Sequence, residues 1–396
     1  MTVREVWLRL LAFWAVLAFT HPGIVPIQIA TVGGAFLVAA VLATNARTRI
    51  TIPTLAVALI VLAALSPLWA PALTGYTASG FTLSWSVFFA VVTIAGAVFA
   101  HCTTPKSGLR FFDAALKSLA VLTVVMIAIV PSEAFDQRAP NAGTLAGPFT
   151  HKNLLGPLLV LGLLSALYAG RGFRRACWVG LYVLLVMLTS SSSALVLSLL
   201  MLIMFVLIKG WYDKRIVILT AILAGLFAWL LVQYQDTLLA AVGRDATLSG
   251  RDRIWAGTID AWQDRPLLGY GWYFTYTEGS PAAHIIEHYA GWLVPSSHNG
   301  FLSMLLQLGI VGASVLLTIT AVTFLKLFRL VTMTADREAR WALQAVVVFL
   351  MINLIDKNLD STAWFIFVAS ATWLGNGWCA SGSNAVPPTL ESESVG

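Results

Sequence analysis

The sequence predicts an all-α, polytopic integral membrane protein, and three observations carry that prediction. Hydrophobic residues fill 59% of the 396 positions and charged residues 11%, against about 45–50% and about 25% in soluble domains. Mean hydropathy is +0.84. The apolar residues form long unbroken runs, which excludes the period-two alternation of a β-barrel. The same composition excludes a soluble domain, a disordered chain and a disulfide-stapled module. Cys102, Cys177 and Cys379 have spacings that suit neither a disulfide framework nor a metal site.

A helix needs about 20 apolar residues to cross about 30 Å of hydrocarbon, and that rule places twelve spans along the chain. The first, 6–21, follows Arg4 and Arg9 without a small-residue cleavage site after it, so it reads as a retained signal anchor. Spans 24–44, 52–71, 81–101 and 114–131 follow across short polar connections, and 154–170 begins behind the bend signals Gly147-Pro148 and Gly156-Pro157. Spans 176–190 and 193–208 share one apolar run broken only by Ser190-Ser191-Ser192-Ser193, and 216–234 closes the first nine. After a long polar segment come 299–325, 341–359 and 362–379, then a Ser-, Pro- and Glu-rich tail expected to be disordered from 381 on.

Orientation follows from the cations. With the N-terminus inside, 17 of the 24 Lys and Arg residues fall on the cytoplasmic side and 7 outside, which predicts both termini in the cytoplasm. The net charge of +6 therefore belongs to cytoplasmic loops and is no sign of a nucleic-acid partner. Two outer segments are long, 132–153 and 235–297, and long loops in compact proteins tend to be functional. In the second, Ser249-Gly250 reads as an N-cap opening an amphipathic helix to about Trp262, which Asp264-Arg265-Pro266 ends before a tight turn at Gly269-Tyr270-Gly271-Trp272. The aromatic residues Trp255, Trp262, Tyr270, Trp272, Tyr273, Phe274 and Tyr276 suit an element lying in the headgroup zone.

The chemistry gathers on this outer side. Arg251, Arg253 and Arg265 cluster beside a helix start, a setting for a phosphate or diphosphate; on spacing alone, headgroup contact or loop solubility is the reading that comes first. His298-Asn299 opens the tenth span, where a histidine can serve as general base or hydrogen-bond a substrate oxygen. His151-Lys152-Asn153 stands at the mouth of the sixth. Each histidine can also be purely structural. His284-Ile285-Ile286-Glu287-His288 matches the zinc-hydrolase string H-x-x-E-H, but no second helix with a Glu ligand follows, so a surface helix turn is the expectation.

Three blocks bear a family resemblance. His298-Asn299, with Gly309 and Gly312 spaced behind it, resembles the H-[NSQ]-x9-G-x-x-[GTY] signature of the O-antigen ligase and polymerase superfamily. Ser249-Gly250-Arg251, Ile254-Trp255 and Arg265-Pro266-Leu267-Leu268-Gly269-Tyr270-Gly271 resemble its S-G-R…W…P-[LF]-x-G-x-G block. Gly147-Pro148-Phe149-Thr150-His151-Lys152-Asn153-Leu154-Leu155-Gly156 resembles the G-x-F-x-H-K-N-x-x-G block of its exopolysaccharide-production branch. The resemblance divides the chain into N-terminal helices 1–146, a ligase/polymerase-like core 147–312, C-terminal helices 313–380 and the tail 381–396.

It implies a metal-independent, inverting GT-C-type glycosyltransferase without a cofactor, with its active site on the outer face of the bacterial cytoplasmic membrane. The donor would be a glycan on undecaprenyl diphosphate. The acceptor would be another lipid-linked glycan for a polymerase or lipid A-core for a ligase, among membrane lipids and export or chain-length partners. Arg251, with Arg253 or Arg265, would grip the diphosphate; His298 would orient or deprotonate the acceptor; Asn299 would bind beside it; His151, Lys152 and Asn153 would line the opposite wall; Gly309 and Gly312 would let helices approach closely. Many ligases carry an arginine in an S-R-G-like stretch where this chain has Thr189-Ser190-Ser191-Ser192-Ser193-Ala194. That departure, with Lys152 as a replacement, favours a polymerase over a ligase. A transporter would instead place ionisable residues near the bilayer midplane, where the predicted spans have almost none, and a structural partner would not need His298 or Arg251.

Overall fold

The computed structural model describes residues 2–17, 27–44, 50–74, 80–137, 141–209, 250–277, 279–334, 336–356 and 361–378. The predicted ninth span 216–234, the start of the long loop with Ser249 and Arg244, Arg138, Lys357, Cys379 and the tail from 381 lie outside them. Within the described residues the chain is helical: α1 (Val3–Leu17), α2 (Ile27–Ala43), α3 (Thr54–Thr74), α4 (Gly80–Cys102), α5 (Pro105–Ile129), α6 (Pro131–Ala134), α7 (Lys152–Ala169), α8 (Gly172–Thr189), α9 (Ser192–Lys209), α10 (Arg251–Asp264), α11 (Pro281–Ala290), α12 (Gly300–Met333), α13 (Arg337–Ile355) and α14 (Thr362–Gly375). Helices α4, α5, α7, α8, α12 and α13 are long and apolar enough to cross a membrane, and α2, α3, α9 and α14 are shorter apolar helices. Side chains such as Phe36, Leu68, Ile129, Met187 and Leu325 are largely exposed, as lipid-facing positions of a multi-pass membrane protein must be.

Local chemistry explains where helix ends depart from prediction. Helix α5 starts at Pro105, nine residues before the expected 114, because Thr104 and Ser107 form a reciprocal capping box with Pro105 in the first turn. The Ser tract does split one apolar run: Ser190, at φ 48°, ends α8 and Ser192 starts α9. Helix α13 begins at Arg337 under an Asp336 cap and stops at Ile355, so the predicted span 341–359 reached too far and took in Asp356.

Helix α7 is the centre of the bundle, with 78% of its apolar window buried, whereas α8 on the periphery has 22%. An aromatic layer of Phe89, Phe349, Trp364 and Phe367 packs α4, α13 and α14 together, with the Trp364 indole donating to Thr93 Oγ1 at 2.9 Å.

The long α12 is broken at Gly309, whose φ of 63° and ψ of −165° are non-helical. The Pro-Leu-Leu-Gly-Tyr-Gly loop fills the break. Carbonyls of Pro266 and Leu267 accept from the amides of Ile310 and Val311 at 2.9 and 3.3 Å, and the amides of Tyr270 and Gly271 donate to the carbonyls of Leu306 and Gln307 at 3.0 and 2.8 Å. The backbone groups freed by the break are thereby satisfied, as a buried helix break requires. A Cβ at Gly309 would overlap the Leu267 carbonyl, and one at Gly312 the side chain of Leu308 in the same helix. The expected helix–helix approach at these glycines is thus corrected: Gly309 admits a loop, and Gly312 accommodates its own helix across the bend.

Beyond this seam the loop anchors itself with aromatics. Tyr270, Trp272 and Phe274 are buried, the Trp272 amide donates to Ser66 Oγ at 2.8 Å, and Tyr273 stacks on Trp85 at 4.2 Å. The expected headgroup-zone role fails for these residues because they plug into α3, α4 and α12. Leaving water is worth about 1.5–3 kcal/mol for a Phe-sized side chain. Trp292 and Tyr289 are the exposed aromatics of the loop.

Candidate functional site

The site forms where α10, α12 and α13 meet at one end of the bundle. Helix α13 ends at Ile355, leaving its last carbonyls without intrahelical partners. Two of the predicted residues fill that deficit. Arg251 Nη1 donates to the Ile355 carbonyl at 2.7 Å and Asn299 Nδ2 to the Leu354 carbonyl at 3.3 Å. A guanidinium at a helix C-terminus is also favoured by the helix dipole. The third, His298, has its Nδ1 3.3 Å from Oδ1 of Asp356, the α13 C-cap. Three residues of the sequence motifs, up to 104 positions from their partners, thus converge on one turn at 354–356.

Each is held from below. Asn299 is the N-cap of α12 and its Oδ1 accepts from the Leu302 amide at 3.0 Å. Ser297 Oγ bonds Ser303 Oγ at 2.6 Å, and Tyr276 O–H lies 3.2 Å from Ser303 Oγ. Burial pushes the Tyr276 phenol up from its ordinary pKa, so it stays a neutral partner in this network. The Trp255 indole donates to the Ser297 carbonyl at 3.0 Å, tying α10 to the turn. His298 is one of three non-glycine residues at positive φ among the described residues, at 49°. This αL conformation is uncommon for a side-chain-bearing residue and is characteristic of sites where geometry is imposed.

The Asp356 contact assigns the ring. A carboxylate only accepts, so Nδ1 carries the hydrogen and the lone pair of the neutral imidazole sits on Nε2. His298 and Asp356 have side chains 26% and 21% exposed, enough to meet a ligand while partly shielded from solvent.

A second cluster forms at the start of α7. His151 is its N-cap, with Nδ1 accepting from the Asn153 amide at 3.1 Å and Nε2 3.0 Å from the Asn141 amide group. Because Nδ1 accepts, Nε2 carries the hydrogen and Asn141 must present its oxygen. Asn153 Oδ1 accepts from Ser191 Oγ at 3.2 Å, which in turn lies 2.9 Å from Ser193 Oγ. The serine tract therefore packs directly on the His-Lys-Asn block, with Lys152 buried beside it. A small cavity lined by Phe149, Leu154, Pro157, Ile352 and Ser361 joins this cluster to the last turns of α13, so both clusters lie at the same end of the bundle.

One further expectation needs correction. Arg265 is the C-cap of α10 and Arg251 its first residue; 14 residues at about 1.5 Å each put the two roughly 20 Å apart along the helix, so Arg265 does not join the cluster at 354–356. Arg265 instead lies over the Tyr270 ring at 5.7 Å. Arg253 is exposed on the first turn of α10, close to Arg251. The α10 N-cap is Gly250 at φ 77°, without a side-chain cap. His284 and Glu287 lie 3.8 Å apart on α11, and no group of three His, Cys, Asp or Glu suited to a metal forms among the described residues.

Asp356, Ser191 and Asn141 were not anticipated from sequence. Asp356 had a signal: an ionisable residue inside a predicted span is a functional candidate by its cost alone. Ser191 lay in the serine tract already set against the ligases' arginine, whereas Asn141, a polar residue in a turn, had no signal.

Residues 176–317 match the family model described as O-antigen ligase. The chain is also 30% identical over 223 residues to the exopolysaccharide production protein ExoQ of Rhizobium meliloti (strain 1021). That alignment covers 50% of this chain and 51% of ExoQ, so the chain spans about half the length of the curated relative it matches. Arg251, His298 and Asn299 all lie within the stretch that matches the O-antigen ligase family model, and the chain is similar over half its length to an exopolysaccharide production protein.

Proposed function

We propose that this protein is an inverting glycosyltransferase that polymerises glycan repeat units carried on undecaprenyl diphosphate at the outer face of the cytoplasmic membrane. The observation that carries the reading is the convergence of Arg251, His298 and Asn299 on the C-terminal turn of α13. The acceptor hydroxyl loses its proton to Nε2 of His298 as its oxygen attacks the anomeric carbon. The glycosidic bond to the diphosphate breaks and the electron pair leaves on the phosphate oxygen. Asp356 positions the ring and stabilises the imidazolium. Arg251 and Arg253 stabilise the departing lipid diphosphate, an already weak base, so no metal is required. His151 and Asn153, engaged with Asn141 and Ser191, shape the facing wall rather than move protons, and Lys152 adds positive charge there.

The exopolysaccharide relative and the arginine-free serine tract favour polymerisation. The family description favours the second reading, ligation of a finished glycan to lipid A-core. The lipid-linked glycan profile of cells lacking the native copy, complemented with wild type or with His298→Ala, separates them. Single lipid-linked repeats accumulating without polymer supports the polymerase. Full-length polymer stranded on its carrier supports the ligase, and an unchanged profile overturns both.

A further inference from the structure

The end of the bundle bearing the α7–α8 turn holds a second built feature, outside the site above. A cavity of about 400 Å³ is lined by Arg171, Arg174, Arg175 and Lys117 against one carboxylate, Asp113, with Trp178 at its side. Lys117 is accounted for: its Nζ lies 2.5 Å from Asp113 Oδ2 and 5.2 Å above the Trp178 ring. The three arginines form no ion pair among the described residues, so the cavity carries a surplus of positive charge. Beside it a groove of about 470 Å³ shares Lys117 and Trp178 in its lining and runs over Ser118, Val121, Leu122 and Val125 along α5. Val121 and Val125 are exposed there, as is Phe173, 84% exposed beside Arg174.

We propose that this cavity and groove bind one anionic glycerophospholipid, its phosphodiester among Arg171, Arg174 and Arg175 and an acyl chain along the α5 groove. Charge complementarity selects the headgroup, since guanidinium forks match phosphate oxygens bidentately and basic cavities between spans attract acidic lipids. The groove selects a lipid over a soluble anion: a free phosphate or nucleotide would leave Val121, Leu122 and Val125 without a partner. Topological bias alone explains cations at this end of the bundle, but not their gathering in a cavity that shares Lys117 and Trp178 with an apolar groove. The weakly buried α8 leaves the groove open to the bilayer.

The test is native mass spectrometry of the full chain in zwitterionic detergent, titrated with palmitoyl-oleoyl phosphatidylglycerol or the matching phosphatidylcholine. Wild type is expected to retain phosphatidylglycerol in preference by about tenfold or more, since each basic residue near an acidic headgroup adds to the attraction. The triple variant Arg171→Gln, Arg174→Gln, Arg175→Gln is expected to lose that preference. The variant Lys326→Gln, Arg329→Gln, which removes exposed cations that do not line the cavity, is expected to keep it. Should the triple variant aggregate, Val121→Trp fills the groove with every cation intact and is expected to abolish the preference as well. A preference that survives either cavity variant overturns the proposal. So does equal loss in the Lys326/Arg329 variant, which would mark a diffuse basic surface, or equally tight binding of the soluble headgroup glycerophosphoglycerol, which would mark an anion site.

Discussion

Two histidine-led motifs sit at the starts of two helices, and the structure uses them in opposite ways. His151 is the N-cap of α7; its Nδ1 lone pair is spent on the Asn153 amide and its Nε2 faces Asn141, all within ten residues. His298 precedes the N-cap Asn299, is held at φ 49°, and takes its partner Asp356 from 58 residues away. The first arrangement satisfies a helix end. The second costs backbone strain and orders a ring whose basic nitrogen is directed away from its partner, the arrangement that the proposed proton transfer needs. From the residue types alone either histidine could be purely structural, and only the family resemblance set His298 apart as the base; hydrogen-bond direction separates them physically.

The sharpest way to break this contrast is His298→Gly. Glycine adopts positive φ freely, so relief of about 1 kcal/mol of αL strain should leave the detergent melting temperature unchanged or higher. Polymer formation should fall by roughly 10²–10⁴-fold with loss of the base. Activity surviving in a folded His298→Gly protein would remove the histidine from the chemistry. Arg251→Lys, which keeps the charge but not the fork, should lower turnover by about 10²-fold, read in the same transfer assay; a change confined to melting temperature would make Arg251 merely a cap on α13.

Asp356→Asn is expected to reduce turnover by about tenfold or more by releasing the ring tautomer. Asp356→Glu should recover part of that loss, whereas a purely structural aspartate would show the change in folded yield instead. The smallest effect belongs to the other motif. His151→Ala should cost about 1 kcal/mol of stability through the lost cap and leave turnover of the folded protein within about threefold. His151→Asn, itself a good cap, should restore the stability. A turnover loss in His151→Asn comparable to that in His298→Gly would erase the distinction between the motifs.

Much of the architecture was legible because membrane spans are determined by length and hydropathy, which need no partner to be recognised. Helices occur over every predicted span except 216–234, outside the described residues, and even the Ser190–Ser193 break divides α8 from α9. Ends were misplaced where polar side chains extend or stop a helix, at the Thr104 capping box and at Asp356.

The residue types of the site were legible too, since cations and histidines on one face of an apolar protein have few reasons to be there. Their grouping was not. Arg265 stands four residues from the Gly-Tyr-Gly turn in sequence yet a whole helix away from Arg251 in space. Asp356 belongs to His298 only because α12 and α13 pack antiparallel and bring the start of one to the end of the other. Composition and periodicity therefore determined what this chain is made of and which segments form its apolar helices. The break in α12, the loop that fills it and the turn at 354–356 that gathers the site were decided by tertiary structure, because freed backbone groups are satisfied by whichever chain segment packs against them.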